Sequence, residues 1–219
     1  MLDGPARRDL TVCAPTRAPA GYSAAMHSSI RNLALAFVVL GAVTPTLAGC
    51  APYKVVQQSG PPSALQGVQQ VAVSFDWSQV QVAGKPEAAY LAEKSAEEQQ
   101  DFQTIKQETD AAVLEGMKDK GGPGVSFTVG AAADPAAPSV VVQYMAVTTG
   151  IYTHVFNVPT KVQTRFQWSR DGKVTDIIET RAMVSAGITT PSDHQRMGMA
   201  GGMIGKAAGR FLVASQAKK

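Results

Sequence analysis

At 219 residues the chain has room for one domain with extensions. Its 45% hydrophobic and 17% charged residues exclude a disordered acidic tail, a multi-span membrane protein and a collagen-like repeat, and a net charge of +3 is too small to imply a nucleic-acid partner. Two cysteines cannot staple a mini-protein, and histidines at 27, 154 and 194 are too scattered to suggest a metal centre.

The first element is a leader. Residues 33–43 (LALAFVVLGAV) form an uncharged apolar run behind Arg31. A bilayer span needs about 20 apolar residues, whereas the core of a secretory signal needs only about 7–15. Leu47, Ala48, Gly49 and Cys50 follow directly. This tetrapeptide, at this distance from an apolar core, resembles the lipobox of bacterial lipoproteins. The resemblance implies that Cys50 is thioether-linked to diacylglycerol, that the leader is cut before it, and that the new amino terminus is acylated. Two or three acyl chains anchor durably where one holds marginally. Ala51 is not the aspartate that favours inner-membrane retention in that pattern, so the expected location is the cell envelope, on the outer membrane facing the periplasm.

Residues 1–25, with Arg7, Arg8, Arg17, Pro15 and Pro19, fit a signal poorly. The expected organisation is therefore a mis-called start or disordered extension over 1–25, a signal peptide over 26–49, a lipidated cysteine and flexible tether over 50–67, and one domain over 68–219. Losing Arg7, Arg8, Arg17 and Arg31 together with Asp3 and Asp9 reduces 20 basic and 17 acidic side chains to 16 and 15. Such a balance does not suit a polyanion partner. Cys13 also leaves, so the mature chain retains no cysteine pair.

Residues 51–67 (APYKVVQQSGPPSALQG) have the composition of a linker. Val71, Val73 and Phe75 alternate with polar or small residues and predict a half-buried strand. Between Gly84 and Gly121 the period becomes helical. Phe102, Ile105, Thr109, Ala112, Val113, Gly116 and Met117 make one stripe, opposite a face rich in Glu and Gln. Val125, Phe127 and Val129 alternate again, and 131–138 (AAADPAAP) reads as a loop. Residues 140–147 (VVVQYMAV) are apolar on both parities, as expected of a central strand covered on both faces. Val162, Thr164, Phe166 and Trp168 alternate with polar residues, and Asp171-Gly172 marks a tight turn into a partner strand over 174–184, which predicts an antiparallel meander. A closing helix follows Ser192, its expected cap. Gly201, Gly205 and Gly209, four apart, open a groove expected to pack against the sheet or the first helix, with self-association of that face as the alternative.

The catalytic candidates weigh against enzymes. Glu97 and Asp101 lie one turn apart, but in a solvated Gln-rich face they read as surface side chains rather than a dyad. Residues 200–207 imitate a P-loop, yet Ala200 and Ala207 replace its first glycine and its hydroxyl. Ser215 and Lys218 have SxxK spacing without companion motifs, and residues 124–128 begin like a nucleophile elbow but lack the last glycine. His154 and His194 need a nucleophile and an acid that no spacing supplies. No catalytic residue, metal, cofactor or nucleotide is expected.

The element order predicts an α+β domain, a mixed or antiparallel sheet of about five strands with two main helices packed on it. That order, with the lipobox, the Asp-Gly hairpin and the Gly/Ala-rich last helix, resembles an uncharacterised group of bacterial lipoprotein domains. In layout the group is similar to the amino-terminal domain of the Tol–Pal periplasmic protein, the curli secretion lipoprotein and lipoprotein activators of penicillin-binding proteins. The resemblance implies a non-enzymatic adaptor held to the membrane through acyl chains on Cys50, binding an envelope protein through a sheet edge, a polar helix face or aromatics at Tyr152, Phe156 or Trp168. The alternatives are a lipid or glycolipid handler resembling the lipopolysaccharide-assembly lipoprotein, and a hydrolase of unidentified class.

Overall fold

The computed structural model describes residues 52–132, 134, 136–153 and 157–217, with the backbone alone for Tyr152. Leu47, Ala48, Gly49, Cys50, His154 and Phe156 lie outside the described residues. The elements are β1 (Tyr53–Gln57), β2 (Gln70–Asp76), β3 (Gln81–Val82), β4 (Lys85–Pro86), α1 (Glu87–Leu91), α2 (Ala96–Lys120), β5 (Ser126–Val129), β6 (Ser139–Thr148), β7 (Ile151–Tyr152), β8 (Asn157–Val158), β9 (Thr160–Arg170), β10 (Lys173–Val184) and α3 (Asp193–Gln216). The main sheet runs β1-β10-β9-β6-β2-β5, with β3 beside β6 and paired to β4. Pairing is antiparallel across β1, β10, β9 and β6 and parallel across β6, β2 and β5, which makes the sheet mixed. The fold is α+β, with α2 and α3 as its main helices.

Local chemistry accounts for most elements. β9 and β10 meet through a turn at Asp171 (φ 53°) and Gly172 (φ 69°), the left-handed pair that a right-twisting two-residue hairpin needs. β6, β9 and β10 form the expected meander. β2 and β5 are parallel neighbours, so the chain must cross over between them, and α2 is that crossover. The helical stretch expected as one element is two, because Ser95 is extended and caps a new start. Its hydroxyl accepts from Glu98 N, and the Glu98 carboxylate accepts from Ser95 N. Ser192 caps α3 as expected, accepting from Gln195 N.

β6 is central, but among the described residues helices cover one face of it and not the other. Val140, Val142, Tyr144 and Val147 are buried beneath the helices, while Val141, Gln143 and Met145 are half-buried on the open side. Cross-strand neighbours supply that partial cover: Val141 opposes Gln167, and Gln167 opposes Ile177.

α2 and α3 run in the same direction, joined by glycines. A Cβ at Gly201 would stand 2.7 Å from Thr109 O, one at Gly205 2.0 Å from Val113 O, and one at Gly209 2.7 Å from Lys120 C. Gly116 of α2 approaches Gly202 O in return, at 2.5 Å. The expected glycine groove therefore packs internally, against α2. Ile204, Ala208, Phe211 and Leu212 then close the core over Val162, Phe166, Trp168 and Ile178.

The tether expected over 50–67 is corrected by the structure, since from Tyr53 the chain is folded. β1 pairs with β10, and Tyr53 packs edge-on against Phe211 with ring centroids 5.5 Å apart. Ser59 N and Oγ donate to buried Asp176 at 3.0 and 3.2 Å, Arg170 donates to Ala64 O at 2.8 Å, and Leu65 is fully buried. The linker-like composition supplies the hydroxyl and carbonyls that satisfy two charged groups of the hairpin.

Candidate functional site

The three aromatics expected to bind a partner separate. Trp168 lies on the helix-facing side of β9, fully buried and tilted against Phe211 at 6.2 Å, so it is core and cannot meet a partner. Its Nε1 has no hydrogen-bond partner among the described residues, so packing alone holds the ring. Tyr152 falls in the β7–β8 hairpin, and Phe156 is outside the described residues.

That hairpin belongs to an end of the molecule organised by Arg196, which sequence reasoning missed. The side chain is fully buried. Its guanidinium donates to Thr190 O (2.9 Å), Pro191 O (2.6 Å), Thr160 Oγ1 (3.0 Å) and Thr149 O (3.4 Å), and it pairs with Asp193. Thr160 Oγ1 in turn donates to Thr149 O. One planar fork thus fastens the β6–β7 connection and the β10–α3 connection to the start of α3. A signal existed: a cation in the first turn of a helix faces the positive end of the dipole, so it needs a compensating reason to be there.

At the sheet's rim, β1 has β10 on one side and no strand on the other among the described residues. Val55 and Val56 are 42% and 49% exposed there. Where β1 begins, a cleft of about 520 Å³ is lined by Pro52, Tyr53, Lys54, Met145, Glu179 and Arg181.

A second cluster joins α2 to the sheet. Asp110 accepts from Trp77 Nε1 at 3.1 Å and from Tyr144 OH at 2.8 Å, and the two rings stack at 3.6 Å. Burial pushes the Asp110 carboxyl up to about 6, against the pull of its two donors. Burial and the Asp110 charge raise the Tyr144 hydroxyl. Lys106 lies 5.2 Å over the Trp77 ring and pairs with Glu87 at 2.8 Å. The adjacent cleft, about 400 Å³, is lined by Trp77, Ser78, Glu87, Ala88, Leu91 and Lys106, which places the titrating carboxyl behind the indole rather than in the cleft.

His194 is no isolated surface histidine. Its Nδ1 lies 2.7 Å from Glu108 Oε2 and its Nε2 2.9 Å from Asp101 Oδ1, so Asp101 turns to α3 and not to Glu97. Those two hydrogen bonds raise the imidazole pKa, and as a cation the ring donates to both carboxylates. Neither nitrogen keeps a lone pair free for base catalysis in that state, and His194 lines neither cleft described above. Residues 200–207 are helical within α3, so the P-loop imitation forms no phosphate-cradling loop. Among the described residues no group of His, Cys, Asp and Glu is arranged to hold a metal, and no helix is long and apolar enough to cross a membrane.

Among the described residues the fold and these sites define an α+β domain with one open sheet face, a bare edge and an arginine-fastened end. Neither a protein-family model nor a curated protein matches the sequence. Among solved structures the chain is similar to a PelC dodecamer from Paraburkholderia phytofirmans, at 14% identity and TM-score 0.37, over 71% of this chain and 96% of that one. A point variant of the same PelC gives 14% identity and TM-score 0.34 over 76% and 99%. A likeness of that degree bears on neither activity nor partners.

Proposed function

We propose that this chain is an envelope lipoprotein, anchored through acyl groups on Cys50 on the periplasmic side of the outer membrane, and that its domain is a non-enzymatic adaptor for an envelope protein. The observation that supports adaptor binding is the bare edge of β1, with two exposed valines. An unpaired edge carrying apolar side chains is the template on which an extended partner segment adds as a further strand. The engaged nitrogens of His194 and the occluded position of Asp110 favour binding over catalysis. The leader pattern at 33–50 supports the anchor.

The test is cross-linking in intact cells of the full chain with Cys50 kept, followed by mass spectrometry. One reproducible envelope protein is expected, and a chain carrying Val55→Lys and Val56→Lys should lose it while unfolding at the wild-type temperature. Lipid co-purifying in fixed ratio with no captured protein would overturn the adaptor reading in favour of glycolipid handling, for which the 520 Å³ cleft with Lys54 and Arg181 at the start of β1 is the supporting feature.

A further inference from the structure

Resting on the lipoprotein reading, we infer that the Arg196-fastened end of the domain lies directly on the bilayer, with Ile188 inserted among the lipids, so that the anchored domain has one fixed orientation. Cys50 precedes Tyr53 by three residues, a reach of at most roughly 10 Å. β1 is antiparallel to β10 and Tyr53 opposes Thr180, so the start of β1 lies beside the carboxyl-terminal part of β10. With Tyr53 already in the sheet, no length of free tether separates the anchor from the domain. The bilayer must then lie near Met183 and the connection over 185–192.

That end is dressed for a lipid surface. Ile188 is 86% exposed, more than any other large apolar side chain described, and Met183 and Ile151 are each 53% exposed. Ile188 is held out rather than left loose. Gly187 and Thr190 form a β-bridge across it, with Thr190 N donating to Gly187 O at 3.0 Å. Thr190 Oγ1 donates to Ser185 O at 2.8 Å, and Arg196 binds the Thr190 and Pro191 carbonyls. A turn braced to keep an isoleucine in solvent suits insertion, where the apolar side chain leaves water without any reordering of the backbone.

The charges agree with the position. Lys54, Lys161 and Arg181 are exposed on the open sheet face near this end, and none has an ion-pair partner among the described residues. They are placed to meet lipid phosphates. The acidic side chains at this end are mostly engaged: Glu179 binds Arg165, Asp193 binds Arg196, Asp101 and Glu108 bind His194, and Glu98 binds Lys94, while Glu97 is exposed on the helical layer rather than on the sheet face. This asymmetry tips the sheet side toward the membrane.

The experiment uses the full chain, processed in cells and reconstituted into vesicles of phosphatidylethanolamine and phosphatidylglycerol with bromine on the acyl chains. Single variants Ile188→Trp and Val174→Trp are compared. Val174 is also exposed but stands nine residues down β10 from Met183, roughly 30 Å away. Both native tryptophans are buried and give the same background in each. The expected result is a blue shift and bromine quenching of Ile188→Trp with neither for Val174→Trp. Quenching of neither or of both, with Cys50 acylated by mass, would overturn the orientation while leaving the lipoprotein reading intact. A Cys50 without acyl mass would overturn both.

Discussion

Replacing Gly205 by alanine tests the helix interface on which the fold rests. In an exposed helix the change would stabilise by about 1 kcal/mol, because alanine loses less backbone entropy on folding. Here the new Cβ would stand 2.0 Å from Val113 O and 3.0 Å from Met117 N, where van der Waals contact needs about 3.5 Å. The obstruction is backbone, which cannot swing aside, so α3 has to withdraw by roughly 1 Å or more along its contact with α2. A gap of about 0.5–1 Å already forfeits a quarter to a half of each dispersion contact. Overpacking of this kind costs about 3 kcal/mol, leaving a net loss of about 2 kcal/mol after the propensity gain. Gly202 supplies the internal control. A Cβ there meets nothing within 4 Å, so Gly202→Ala should gain up to about 1 kcal/mol from the same propensity. Thermal unfolding should place the two variants on opposite sides of wild type, with Gly205→Ala lower by about 4–8 °C and Gly202→Ala higher by about 2–4 °C. Equal melting temperatures for the two alanines would refute the claim that α2 and α3 touch through backbone.

Two further outcomes follow from ionisable side chains. Between its unfolded value of 3.8 and its folded value of about 6, Asp110 keeps a proton in the folded state that the unfolded chain has released, so its contribution to stability falls as pH rises through that window, by on the order of 3 kcal/mol in all. His194, raised above 6.5, adds stability that is complete below 6.5 and is lost as pH rises through its folded value. The urea midpoint should therefore be higher at pH 5 than at pH 8, and Asp110→Asn should flatten the dependence below pH 6; a wild-type midpoint that climbs from pH 5 to 8 would contradict this assignment. Arg196→Met should cost about 3 kcal/mol or more, by removing the side-chain donor to the Thr190 and Pro191 carbonyls, leaving Thr149 O with Thr160 Oγ1 as its one side-chain donor, and unpairing Asp193. Arg196→Lys should not restore the loss, since one ammonium cannot span the set, and amide exchange over 149–153 and 185–192 should quicken in both variants; wild-type exchange there would disprove the fastening role.

What could be read from residue order alone was whatever local geometry dictates. Period two over 162–168 and 174–184, the Asp171-Gly172 turn and Ser192 before α3 each act through bonds and contacts within a few residues, and each appears in the structure as read; the i, i+4 glycines showed a groove, but its partner α2 lies about 90 positions away. Even the burial of Trp168 was legible. It shares the parity of Phe166 and Val162, so assigning it to a partner surface ignored the alternation that had already turned it inward. The pattern 97–101 showed two carboxylates on a polar face but held no trace of His194, which reaches Asp101 from 93 positions away.

Tertiary structure alone decided the rest. β1 looks like linker because no apolar period marks it, and it becomes a strand through the edge that β10 offers and the face that Phe211 offers to Tyr53. Arg196 is one basic residue among twenty until the fold surrounds it with carbonyls from two connections. Parallel pairing of β2 with both β5 and β6, and the common direction of α2 and α3, likewise leave no mark in composition or period. Propensity, capping and turns depend on neighbours in the chain, whereas strand order, buried ion pairs and exposed edges depend on which distant surfaces exclude water together.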